Sequence, residues 1–110
     1  MKDNIFTLPK SGDLDIQKEF FETLQETENI KIERIISTGQ TTPPDEWYDQ
    51  EKAEWVILLT GEAELTFENG NIKKLTAGDY LFIPPHQKHR VSYTSVEPAC
   101  VWLAVYFTNK

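Results

Sequence analysis

From residue 30 to the end of the chain, apolar and polar side chains alternate with a period of two, the repeat of a strand with one dry and one wet face. Ile30-Lys31-Ile32-Glu33-Arg34-Ile35-Ile36 opens the series. A strand at 54–60 follows, then one at 62–67 in which Ala63, Leu65 and Phe67 interleave with Glu62, Glu64 and Thr66. Asn69-Gly70 predicts a type I′ hairpin turn, because both residues tolerate positive φ, and it leads to a strand at 72–75. Ala77-Gly78-Asp79 turns into a strand at 80–83, which Pro84-Pro85 ends because proline donates nothing to a ladder. Residues 88–93 place His89, Val91 and Tyr93 on one face, with Lys88, Arg90 and Ser92 on the other. The final strand, 100–107, and the segment 55–59 are apolar on both faces, so an outer face of the sheet is expected to be covered by a helix or by a second subunit.

Ahead of this series the spacing changes. Ile16, Phe20 and Leu24 recur every four residues with Phe21 beside them, and Asp13 stands as a cap, which predicts a short amphipathic helix over 14–26. Its expected job is to cover an open edge or end of the sheet. Gly39 and Pro43-Pro44 break any regular element between 37 and 44. The pattern is that of an all-β, closed or sandwich-like barrel: one domain, with residues 1–29 as an extension carrying the helix and 30–110 as the barrel.

Composition narrows the function classes. Eleven basic against eighteen acidic residues give a formal charge of −7, which repels phosphate backbones and anionic lipids, so neither nucleic acid nor membrane is an expected partner. No apolar run approaches the roughly 18 residues of a membrane span, and the first residues lack the order of a signal peptide, so a cytoplasmic location is expected. The lone Cys100 lies in an apolar strand and reads as a buried thiol. Walker loop, G-x-S-x-G, C-x-x-C and dinucleotide signatures are absent.

Candidate chemistry gathers on two strands. Glu54 shares a face with Val56 and Leu58, and a carboxylate above apolar residues is costly unless paired or liganded; Lys31 and Arg34 are candidate partners. His89 on its apolar face reads either as a hydrogen-bonded core histidine or as a ligand. Trp47 and Tyr48 read as pocket-rim aromatics or as packing, and Tyr93, on the face of His89, as a hydrogen-bond donor into the pocket.

The run Gly78-Asp79-Tyr80-Leu81-Phe82-Ile83-Pro84-Pro85-His86-Gln87-Lys88-His89 resembles the second motif of the cupin family, with Gly78, Pro84 and His89 at the matching spacing and His86 where the family usually has glycine. Glu54 and Gly61 match the glutamate and glycine of the first cupin motif, but its two histidine positions hold Trp47 and Asp49 or, in the shorter register, Tyr48 and Gln50. The resemblance implies a double-stranded β-helix, or jelly-roll barrel, often a homodimer, with Glu54 and His89 lining a pocket. It also implies a divalent transition metal, Zn²⁺, Fe²⁺, Mn²⁺ or Ni²⁺, for which Asp49, Glu54, His86 and His89 are the candidate ligands. The expected function is a small cupin-domain protein binding such a metal and a small polar molecule. The alternatives are a metal-free binding or sensor module and acid–base catalysis by Glu54 and His89 in the manner of cupin isomerases.

Overall fold

The computed structural model describes residues 3–9 and 17–108. Where the two-residue period runs, strands form: β1 (Phe20–Glu26), β2 (Ile30–Ser37), β3 (Ala53–Thr60), β4 (Glu62–Phe67), β5 (Ile72–Thr76), β6 (Tyr80–Ile83), β7 (His89–Thr94) and β8 (Cys100–Phe107). They pair antiparallel in two sheets, one ordered β1-β2-β8-β3-β6 and the other β5-β4-β7. Between the sheets the inward residues Val56, Leu58, Leu65, Leu75, Ile83 and Trp102 pack into one buried cluster. Cys100 is a free thiol buried within that cluster.

The expected helix over 14–26 is not formed. Residues 14–16 lie outside the described residues, no described residue is α-helical, and Phe20–Glu26 is an edge strand. A spacing of four is a multiple of both repeats, so Phe20 and Leu24 fit a strand as well as a helix. What decides between them is the hairpin: Thr27 N donates to Ile30 O and Thr27 Oγ1 accepts from Ile30 N, so the chain turns over Glu28 and Asn29 and lies back along β2. Pairing shifts between Thr23 and Gln25, so Leu24 sits in a bulge.

The turn at Asn69-Gly70 also differs from the expected type I′. Gly70 N donates to Phe67 O and Phe67 N to Asn71 O, and of the pair only Gly70 has positive φ, at 92°. This is the three-residue hairpin in which a type I turn ends on a left-handed glycine.

The outer face of the larger sheet is covered unevenly, and by no helix among the described residues. At one end Arg34 donates to the carbonyls of Ile5 and Thr7, which ties the segment 3–9 to the sheet. Ile36 and Val101 are buried there. At the other end Tyr80 and Phe82 of β6 stay more than half exposed. No helix of the described residues is long and apolar enough to cross a membrane.

Candidate functional site

β3 carries Glu54 into the barrel between Ile83 of β6 and Tyr106 of β8. β7 carries His89 in from the opposite sheet, beside Phe67. Both residues are nearly sealed, with 6% and 5% of their surface exposed, and Glu54 Oε1 faces His89 Nε2 at 3.8 Å. His89 Nδ1 lies 2.9 Å from the Gln87 carbonyl, which can only accept, so Nδ1 carries the proton. Burial lowers the His89 pKa against the raising effect of that bond, so the ring is neutral and Nε2 presents a lone pair to the cavity.

Behind Glu54 lies a second buried carboxylate. Tyr106 donates to Glu33 Oε1 at 3.3 Å, and Lys31 stands 3.6 Å from the other oxygen of Glu33. Burial first, and then the charge of Glu33, push the Glu54 pKa up to about 7; the Tyr106 hydroxyl, for whose single proton the two carboxylates compete, works against them. Burial and the charges of Glu54 and Glu33 likewise push the Tyr106 phenol well above its ordinary range. The carboxyl of Glu54 therefore exchanges its proton near neutrality, opposite a neutral imidazole acceptor. That pair can hold, accept or return a proton on a bound molecule.

The cavity they line holds about 70 Å³ and is walled otherwise by apolar and aromatic residues, among them Val56, Leu65, Trp102 and Tyr106. Its mouth carries Tyr48, Gln50, Phe21 and Glu19. Glu19 accepts from Ser37 Oγ at 2.6 Å, and Ser37 in turn accepts from Trp102 Nε1 at 3.2 Å. Burial raises the Glu19 pKa against that hydrogen bond.

The structure selects the shorter register of the first motif: Tyr48 and Gln50 line the cavity with Glu54 and His89, whereas Trp47 and Asp49 do not. Tyr48 exchanges backbone hydrogen bonds with His89 and stacks on its ring, centroids 5.6 Å apart. Trp47 lies instead under the Arg90 guanidinium, on a second chamber of about 280 Å³ that shares Glu19 and Tyr48 with the first. Asp49 Oδ1 meets His86 Nδ1 at 2.8 Å on the surface. The four expected metal ligands thus divide into a buried pair and an exposed pair.

Two further expectations change. Tyr93 does not share the face of His89, because pairing shifts between Glu64 and Leu65, which leaves Ser92 as an extra residue and turns Tyr93 out beside Glu64, 49% exposed. Neither Lys31 nor Arg34 pairs with Glu54: Lys31 meets Glu33, and Arg34 meets Glu22 at 2.8 Å on the outer face. Glu33, Tyr106 and Glu19 were not picked out from the sequence. Glu33 had a signal, since strand alternation sets it on the face of Ile35 and away from Arg34; Glu19 had none.

A cupin metal centre needs three or more protein donors around one point. Among the described residues no three His, Cys, Asp or Glu side chains come together in that way. Burial and Glu19 raise the Tyr48 pKa, so it offers a phenol rather than a phenolate, and Gln50 offers an amide. The residues present do not fit a divalent transition ion.

Two antiparallel sheets closed around a pocket, with a glutamate and a histidine facing each other inside it, define a small β-barrel of the cupin type. The Cupin domain family matches residues 33–106, and the chain belongs to that family. It is similar over 99% of both chains, at 37% identity and TM-score 0.89, to a protein of Ralstonia eutropha JMP134 provisionally named mannose-6-phosphate isomerase. A cupin superfamily protein of Desulfitobacterium hafniense DCB-2 shares the fold at 16% identity and TM-score 0.74, over 87% of this chain and 83% of that one. The polyketide cyclase RemF of Streptomyces resistomycificus shares it at 18% identity and TM-score 0.68, over 83% and 66%. No functionally curated protein matches the chain.

Proposed function

We propose that this protein binds a small polar organic molecule in the barrel cavity without a metal ion, and that Glu54 and His89 are the groups that hold it and exchange protons with it. The observation that carries this reading is the buried pair itself: a carboxyl and an imidazole nitrogen 3.8 Å apart, with Tyr48 and Gln50 where the family pattern has histidines. Tyr48 and Gln50 can hydrogen-bond a ligand at the mouth. Phosphorylated sugars, suggested by the name of the R. eutropha relative, are poor candidates, because no Lys or Arg among the described residues lines the cavity.

Thermal unfolding separates this reading from a metal-binding one. A ligand of the native state at 100 times its dissociation constant adds about 2.7 kcal/mol to stability. Zinc, manganese and nickel ions are expected to leave the melting temperature unchanged, and at least one class among neutral sugars, small acids and amines is expected to raise it in a Glu54-dependent way. Stoichiometric metal in protein purified without chelator, with stabilisation by added ions that is lost in His89→Ala, would overturn the reading.

The same protein is proposed to work as a homodimer, with a second copy on the outer face where Trp55 packs on Tyr80 and Phe82 on Phe107. Tyr80 and Phe82 are 63% and 57% exposed in the single chain, an apolar surface of the kind that subunit contacts cover. Sedimentation showing only monomer at micromolar concentration would remove the dimer.

A further inference from the structure

The polar lining of the inner end of the cavity is one-sided. Its donors there are committed, Trp102 Nε1 to Ser37, Ser37 to Glu19, and Tyr106 to Glu33, which leaves the Tyr48 phenol and the Gln50 amide as the donors of the mouth. At that inner end stand Glu54 Oε1 and His89 Nε2, which at 3.8 Å lie too far apart to bond each other, and both are acceptors once Glu54 has released its proton. His89 is 5% exposed, and among the described residues its Nε2 makes no hydrogen bond. His89 Nε2 therefore has a lone pair to offer a donor on a bound molecule.

The charge around that pair has one sign. Glu19 and Glu54 line the cavity, and no Lys or Arg among the described residues does. Glu33 lies behind Tyr106, and Lys31 compensates it from 3.6 Å. Aromatic faces of Tyr48, Trp102 and Tyr106 complete the wall, and such faces attract cations and repel anions. The formal charge of −7 raises the local concentration of cations around the whole protein.

From these observations we infer that the pocket takes a small organic cation, a protonated primary amine whose ammonium hydrogens bridge Glu54 and His89. An ammonium group has three donors and no acceptor, the complement of the Glu54–His89 end of the cavity. The inner cavity has room for the head group alone. The body of the ligand then occupies the adjoining chamber, where Thr41 and Glu46 offer a hydroxyl and a carboxylate and Trp47 a ring that also carries the Arg90 guanidinium. This inference rests on the metal-free reading of the pocket and narrows it to one ligand class.

The test is thermal shift on the full chain near neutral pH, with two amines and their matched neutral partners: ethanolamine against ethylene glycol, and glucosamine against mannose. Mannose 6-phosphate is the anionic control. The amines are expected to raise the melting temperature, less so as salt is added, while the neutral partners and the phosphate do not. Glu54→Gln is expected to weaken the amines by about tenfold or more, the scale of a hydrogen bond to a charged group. Because a buried substitution can upset folding, Glu46→Lys is the second variant. Glu46 is exposed. Its reversal should weaken the amines by roughly threefold to tenfold. If the neutral partners stabilise as well as the amines, the metal-free pocket stands and the amine inference fails. Absence of any shift with both amines also overturns it. If only divalent ions stabilise, through His89, both readings fall.

Discussion

Two histidine–carboxylate pairs stand a few residues apart in this chain and behave oppositely. His86 and Asp49 touch at 2.8 Å with side chains 64% and 42% exposed, whereas His89 and Glu54 are held at 3.8 Å with side chains 6% and 8% exposed. The closer pair is the weaker one, because water and salt screen exposed charges and leave such contacts about 0–1 kcal/mol. The more distant pair is largely withdrawn from bulk water, so each group's protonation answers to its burial and to the residues packed around it. Distance alone would have ranked them the wrong way round: the buried pair lines the cavity, and the exposed pair clips a loop.

The comparison breaks first on pH. Glu54 titrates near 7 in the folded protein against an ordinary 4.5. Below 4.5 it is protonated in both folded and unfolded chains and costs nothing. As pH rises towards 7 the unfolded chain releases its proton while the folded chain keeps it, so stability falls; above 7 the full cost, about 3 kcal/mol, is present. His89 runs the other way, since its lowered pKa removes stability as pH falls through its ordinary range. The two slopes partly cancel in the native protein, so the difference from a variant is the informative quantity. The stability of Glu54→Gln relative to the native chain is expected to rise by about 3 kcal/mol between pH 4.5 and pH 8, read by urea unfolding. A difference that stays flat with pH would put Glu54 on a level with the exposed pair.

Much of the barrel was legible because its strands carry their own pattern. The strands expected at 62–67, 80–83 and 100–107 form with those bounds, and the one at 54–60 gains only Ala53. Failures arose where one residue more or less changes a face. The extra residue at Ser92 reversed Tyr93, and the spacing of Phe20 and Leu24 suited either repeat. Within the site, Glu54 and His89 could be read from their apolar faces, and the choice between Trp47-Asp49 and Tyr48-Gln50 could not, because both registers satisfy the same spacing. Glu19 was out of reach for a different reason: its place beside Ser37 depends on how β1 folds back along β2.

The exposed pair offers the smaller and sharper test. His86 sits at φ 63°, the left-handed region that costs a residue with a Cβ about 1 kcal/mol, at the position where the family pattern has glycine. Its backbone N donates to Gln50 O at 2.7 Å, and its ring reaches Asp49, so the turn after Pro84-Pro85 is clipped to the segment that carries Tyr48 and Gln50. Replacing the side chain separates the clip from the strain. In His86→Gly the backbone bond remains and the strain goes, so the loss of the ring is offset and stability should change by less than about 1 kcal/mol. In His86→Ala the strain remains and the ring is lost, so that variant should be about 1 kcal/mol less stable than His86→Gly in urea unfolding. Neither substitution should alter ligand binding in the cavity, since the ring of His86 lies outside it. If His86→Gly, with its backbone free of strain, nevertheless loses binding, then the exposed pair belongs to the site and the division between the two histidines fails.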